Sequence, residues 1–260
     1  MNRLWRAVAL LALSLAALPA LAKDPASIRF ATDASYPPFE SKAPNGTLVG
    51  FDIDLGNEIC KRLHAKCVWV ENSFDGMIPG LEARKFDAIL SSMTITPARE
   101  KQIAFSSRLY NTGSRLIVRT GSGIVPTVPS LAGKTVGVEQ GTIQEVYARK
   151  YWEPHGVRVV AYQDQQQVYA DLADGRLDAV LQNQVQASLG FLKTPRGKGF
   201  MFAGAALDDP QVLGKGTAIG LRKDDVALKT AIDGAIAAML ADGTYQQIAR
   251  KYFDFDIYGN

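Results

Sequence analysis

The 260-residue chain carries 29 Lys and Arg against 26 Asp and Glu. The two signs are interspersed, without the clustered basic excess that grips a phosphate backbone, so nucleic acid is not an expected partner. The length admits one large domain or two lobes of ordinary size.

Arg3 and Arg6 precede an apolar run from Ala7 to Leu18, and Ala20-Leu21-Ala22 supplies the small-x-small pattern of a signal-peptidase site. This stretch of twelve residues, apolar but for Ser14, falls short of the roughly 20 that span a bilayer as a helix. Residues 1–22 therefore read as an export signal cleaved after Ala22. What remains is 238 residues (260 less 22) with 27 basic and 26 acidic side chains, near neutrality.

Short β-branched or apolar runs then alternate with amphipathic stretches, the pattern of βα units around a mainly parallel sheet. A first series places strands at 28–31, 67–70 and 88–90, and helices at 52–63 and 77–83, with Asp52 or Asp54 available to cap the first helix. Cys60 and Cys67 fall at the end of that helix and the start of the next strand. In an exported chain a disulfide is their natural pairing; a metal site is the weaker reading, because His64 and His155 add no ligand pattern.

A second series places strands at 116–118, 135–138, 157–161 and 179–181, with helices from 143 and over 166–173. A further strand at 218–221 and a helical pair over 226–252, broken at Asp242-Gly243, need a sheet to cover. The expected fold is α/β with two lobes: residues 23–112 begin lobe one, 113–214 form lobe two, and 215–260 return to lobe one. The crossings fall near 111–114 and 214–217, and a cleft lies between the lobes. There is no internal repeat, no low-complexity stretch and no catalytic fingerprint, and no cofactor is expected.

Ligands of open α/β sheets gather beyond the carboxyl ends of the strands. There the sequence offers Asp33 with Tyr36, Ser91-Ser92-Met93-Thr94 followed by Arg99, Glu139-Gln140-Gly141-Thr142, and Asn183. This mixture suits a zwitterion, whose charged ends would each cost on the order of several kcal/mol to bury without partners. Arg99 matches a carboxylate through its planar fork; the plainer alternative, a surface arginine, is outweighed by its place after the Ser-Ser-x-Thr run. Hydroxyls and N–H groups of Ser92 and Thr94 complete that grip, and Gly141-Thr142 opens a helix whose N-terminus favours the same anion, capping being the alternative. Tyr36 and Phe74 are placed to sandwich an aliphatic stem or planar cation, against the alternative of core packing. Asp33, with Asp52 assisting, reads as the acceptor of a distal cation, N-capping or solvent exposure being the alternative for each acid.

These segments closely resemble the periplasmic lysine/arginine/ornithine- and histidine-binding proteins of amino-acid ABC importers. The likeness runs through the whole mature chain, in 32–40 (Thr-Asp-Ala-Ser-Tyr-Pro-Pro-Phe-Glu), 50–55, 91–96, 140–142, 243–245 and 251–253. The resemblance implies a monomeric, periplasmic two-lobed trap with a Cys60–Cys67 disulfide, which delivers a basic amino acid or close derivative to a membrane permease. By position it implies that Arg99 binds the α-carboxylate, that Ser92 and Thr94 serve both α-groups, that Tyr36 and Phe74 flank the side chain, and that Asp33 with Ser91 meets the distal cation. The sequence departs from the pattern at Asn183, where an aspartate usually pairs with the α-ammonium, at Glu139, commonly apolar, and at Ile143, frequently threonine. Loss of the aspartate points either to a ligand with a substituted or missing α-amine, as in opine-like conjugates, or to lower affinity, and Glu139 reads as electrostatic compensation, a contact to a second cationic group or a solvent-facing side chain. A dehydratase on the same scaffold and a receptor read by a membrane kinase are the competing functions; the first lacks a positioned acid or base, since Asn183 removes the obvious one.

Overall fold

The computed structural model describes residues 27–259, so the expected export signal lies outside the described residues. Strand β1 (Ser27–Thr32) buries Ile28 and Phe30 alternately, and a small antiparallel meander follows: β2 (Ser35–Tyr36), β3 (Glu40–Lys42) and β4 (Leu48–Val49). The meander hands the chain to Gly50, whose φ is 138° and whose absent Cβ would lie 2.1 Å from the Phe39 carbonyl oxygen. Only glycine fits that approach.

Helix α1 (Phe51–Arg62) starts at once, with Phe51, Leu55 and Ile59 buried along one face, the repeat of an amphipathic helix. Neither Asp52 nor Asp54 caps it; Gly50 is the cap residue and contributes no side chain. Asp52 turns inward, while Asp54 accepts bonds from Lys251 and Tyr252 of the tail. Cys60 is joined by a disulfide to Cys67 of β5 (Lys66–Glu71). The first pass ends with α2 (Met77–Glu82), β6 (Ala88–Ile89), α3 (Pro97–Glu100) and β7 (Ala104–Phe105).

The chain then crosses to β8 (Ser114–Arg119), α4 (Val128–Leu131), β9 (Thr135–Glu139), α5 (Ile143–Tyr151), β10 (Arg158–Tyr162), α6 (Gln165–Ala173), β11 (Ala179–Asn183), α7 (Gln184–Ala187) and β12 (Phe200–Leu207). It returns through β13 (Gly220–Leu221), α8 (Val226–Ala241) and α9 (Thr244–Ala249). Two five-stranded sheets result, ordered β5-β1-β6-β13-β7 and β10-β9-β11-β8-β12. The tail inserts β13 between β6 and β7, and its Ile232, Ile236, Met239, Tyr245 and Phe253 share a core with Ile28, Phe30 and Leu55. Every residue of β9 is buried, as befits a strand covered on both faces.

Both sheets are mixed, which differs from the mainly parallel expectation. β8 and β13 enter their sheets straight from a crossing, without a helix to reverse the chain, so they run antiparallel to their neighbours. β12, absent from the sequence reading, is an edge strand whose pairing with β8 shifts register between Ala203 and Leu207. The outgoing and returning connections lie side by side: Thr217 N–H donates to Tyr110 O at 2.8 Å, and Leu109 N–H donates to Thr217 O at 2.8 Å.

The disulfide spans a sequence separation of 7, a loop whose closure stabilises by roughly 2–3 kcal/mol on the chain-entropy account. The double variant Cys60→Ser/Cys67→Ser is therefore expected to unfold roughly 4–10 °C lower with an unchanged circular dichroism spectrum at room temperature. An unaltered melting temperature would show that the bridge carries no stability.

Candidate functional site

The carboxyl ends of β1, β6, β9 and β11 converge on one cavity between the two sheets. Eleven of the twelve expected residues line it: Asp33, Tyr36, Phe74, Ser91, Ser92, Thr94 and Arg99 from the first lobe, and Glu139, Thr142, Ile143 and Asn183 from the second. Gln144 lines it as well, its amide donating to Ser114 Oγ at 2.9 Å. Its place in the first turn of α5, directly after Ile143, is the signal that could have located it. Asp52 is not in the lining.

Arg99 enters from α3, whose N-cap Thr96 accepts the Arg99 N–H. The guanidinium donates to Thr94 O at 2.9 Å and to Gly141 O at 3.1 Å, and its Cζ stands 5.3 Å from the Phe74 ring centroid. Burial lowers its pKa to about 10, so it remains charged at neutral pH. No carboxylate among the described residues lies within ion-pair distance of it, and three of the five N–H donors of a guanidinium stay uncommitted.

Across the cavity, the Asp33 carboxylate accepts N–H bonds from Ser35 at 3.1 Å and Phe74 at 3.2 Å. Burial raises its pKa, and the Ser35 and Phe74 bonds oppose that rise. Glu139 ends β9 with only 2% exposure, and among the described residues no donor meets its carboxyl. Burial, then the negative charges of Asp33, Asp164 and Asp75, hold its pKa well above the carboxylate range.

Asn183 serves the protein itself. Its Oδ1 accepts the N–H groups of Val185 at 2.9 Å and Gln186 at 3.2 Å, capping α7, and its amide nitrogen donates to Thr112 Oγ1 at 2.5 Å. Those backbone donors fix the amide orientation and occupy both lone pairs of the oxygen. Thr142 caps α5 in the same manner, accepting from Glu145 N–H and donating to Glu139 O at 2.6 Å.

Asp52 lies beneath the cavity floor, fully buried, where Oδ2 accepts Ser92 N–H at 2.8 Å and the Tyr110 hydroxyl at 3.1 Å. It thereby holds Ser92 at a φ of 50°. The expected role for Asp52, assisting Asp33 at the ligand, is corrected: α1 starts one residue earlier, at Phe51, and turns this acid toward the floor. Glu40, from β3, lies beside it and accepts from Ser91 Oγ at 3.1 Å and Ser92 Oγ at 3.4 Å. Burial and then the charge of Asp52 push Glu40 well above its ordinary pKa, and burial raises Asp52 to about 7. Asp52 Oδ1 is buried without a donor in the ionised pair, and a proton held on Glu40 supplies one.

Among the described residues, four side-chain bonds cross the cleft: Arg99 to Gly141 O, Gln140 to Asp75 at 3.1 Å, Tyr36 to Gln182 at 2.6 Å, and Gln166 to Ser35 O at 3.0 Å. Gly141, at φ 78°, comes so near the opposite lobe that a Cβ would meet Asp75 Cα at 2.7 Å. The lobes are shut, and residues of both line the cavity.

Two α/β lobes closing on a charged cavity define a ligand-trapping binding protein. The chain belongs to the bacterial extracellular solute-binding proteins, family 3, whose pattern matches residues 28–255. It is 55% identical over 236 residues to the lysine/arginine/ornithine-binding periplasmic protein of Escherichia coli, covering 91% of each chain. To the histidine-binding periplasmic protein of Salmonella typhimurium it is 50% identical over 259 residues, 100% of both. An ancestral arginine-binding protein bound to arginine superposes with a TM-score of 0.82 at 34% identity, over 88% of this chain and 99% of its own.

The Glu40–Asp52 pair makes stability depend on pH. Carboxyls whose folded pKa is raised contribute stability that is fully present below about pH 4 and is lost as pH rises toward and through about 7. In Glu40→Gln the amide donates to Asp52 at every pH, so its melting temperature is expected to fall less between pH 5 and pH 8 than that of the wild type, by about 2–4 °C. Equal slopes in the two proteins would rule out a shared proton.

Proposed function

We propose that the exported chain captures a basic amino acid in the periplasm and delivers it to the permease of an ABC importer. The observation that supports this most is the distribution of charge in one closed cavity: Arg99 with free donors on one wall, Asp33 and Glu139 with free acceptors on another. Arg99 takes the ligand carboxylate, Ser92 and Thr94 serve both α-groups, Tyr36 and Phe74 flank the stem, and Asp33 with Ser91 meets the distal cation. Contacts from both lobes stabilise the closed form, which is the form a permease can select. The relatives that bind lysine, arginine, ornithine or histidine agree with a basic ligand.

This reading includes cleavage after Ala22, a monomeric mature chain and hinges near 111–114 and 214–217, dividing lobe one (23–112 and 215–260) from lobe two (113–214). It assigns no catalysis, since neither His64 nor His155 lines the cavity. A second reading rests on Asn183, whose acceptor is consumed by α7: with no acceptor to spare for a free α-ammonium, the site suits an N-substituted, opine-like α-amine.

Isothermal titration with arginine, lysine, ornithine, histidine and octopine tests both. At least one cationic compound is expected to bind, and Arg99→Ala to weaken that binding by about 100-fold or more through loss of two charge-assisted bonds. Silence toward the whole panel would defeat the assignment. Asn183→Asp separates the readings: about tenfold tighter binding of a plain basic amino acid supports a free α-amine ligand, whereas weakened binding of every plain amino acid with octopine preferred by the wild type supports the opine.

A further inference from the structure

We infer that Glu139 and Asp33, facing each other from the two lobes, form a two-carboxylate seat for a guanidinium, so that the site ranks arginine above lysine, ornithine and histidine. The inference rests on the basic-ligand reading and names the residue that sets its selectivity.

Glu139 is 98% shielded from solvent, at 2% exposure, yet lines the cavity without a hydrogen-bond donor among the described residues. The charged and titratable groups that act on it or respond to it are Asp33, Asp164, Asp75, Tyr36 and Tyr169. None is a cation. A buried carboxyl among other acids costs free energy in its ionised form unless a positive group arrives, and Glu139 lines a cavity that can receive one.

The rest of that wall also consists of acceptors. Each Asp33 oxygen already accepts one backbone N–H and keeps a further lone pair. Ser91 Oγ donates to Glu40 Oε1 and accepts the Asp33 N–H, so its proton is spent away from the ligand. The Tyr36 hydroxyl proton is committed to Gln182 Oε1. Asp33, Glu139 and Ser91 thus line the cavity with acceptor capacity to spare for a distal group. An ammonium brings three donors radiating from one atom, an imidazolium two, and a guanidinium five in a planar fork able to bridge acceptors on separate walls. Only the last matches the number and spread of acceptors, while its flat face lies between Tyr36 and Phe74.

The test is isothermal titration of the purified exported chain, as wild type, Glu139→Gln and Glu139→Leu, with arginine, lysine, histidine and citrulline, the neutral isostere of arginine. The wild type is expected to bind arginine tightest. Removing the charge should weaken arginine by about 30-fold or more while citrulline changes by less than about threefold, so the arginine-to-citrulline ratio falls at least tenfold in whichever variant folds. A ratio unchanged in the variants overturns the inference, as does a wild type that prefers lysine or histidine; either result leaves the basic-ligand function standing. Wild-type silence toward all four overturns the function and the inference together.

Discussion

Charge removed from water is the constraint on which the rest of this structure depends. Arg99, Asp33 and Glu139 are each at least 91% shielded, and none has an opposite charge beside it among the described residues. For Arg99 the only influence on its pKa is burial itself; for Glu139 every neighbouring charge is of its own sign. Desolvation of a lone ion costs several kcal/mol even after relaxation, by rough estimate. A cavity that holds an unpaired cation together with acids lacking any counter-charge is therefore complementary to a molecule carrying the reverse pattern.

The layer beneath shows what holds those charges in place. The β2–β4 meander sets Glu40 over Asp52, and the glycine turn at Gly50 starts α1 early enough to point Asp52 at the Ser92 N–H. With a proton on Glu40, the pair receives donors from Ser91, Ser92 and Tyr110 and fixes the hydroxyls of the serines. Their lone pairs, more than their protons, are left for the ligand. Local backbone chemistry thus determines whether the site offers donors or acceptors.

Much of this was legible in the sequence because function sits at strand ends, and strand ends follow from apolar runs that need no tertiary information. Asp33, Ser91, Glu139 and Asn183 are expected at the cavity on that ground, and all four line it. Asp52 was misread because an acid at a helix start is locally indistinguishable from a cap; only the φ of Gly50, set by the Phe39 carbonyl, decides where it points. The saturated acceptor of Asn183 depends on α7 beginning directly after β11 and on Thr112 arriving from the interlobe crossing, which no linear pattern contains. Strand direction was missed for the same reason: β8 and β13 take theirs from the crossings.

The same electrostatics bear on the hinge. Four hydrogen bonds across the cleft, each worth about 0.5–1.5 kcal/mol net, together favour closure by roughly 2–6 kcal/mol. Shutting in the Arg99 and Asp33 charges, with Glu139 left without a counter-charge, opposes it by several kcal/mol, on the order of the desolvation cost of unpaired ions. The balance between open and shut is therefore set by whatever supplies the missing counter-charges. A molecule that satisfies Arg99 but leaves Glu139 and Asp33 facing one another restores only part of the cost and shifts the populations little; one that satisfies both ends restores nearly all of it. Recognition of the distal cation and closure of the lobes are then one free-energy term, and on the proposed function a permease that selects the closed shape reads the chemistry of the ligand without touching it.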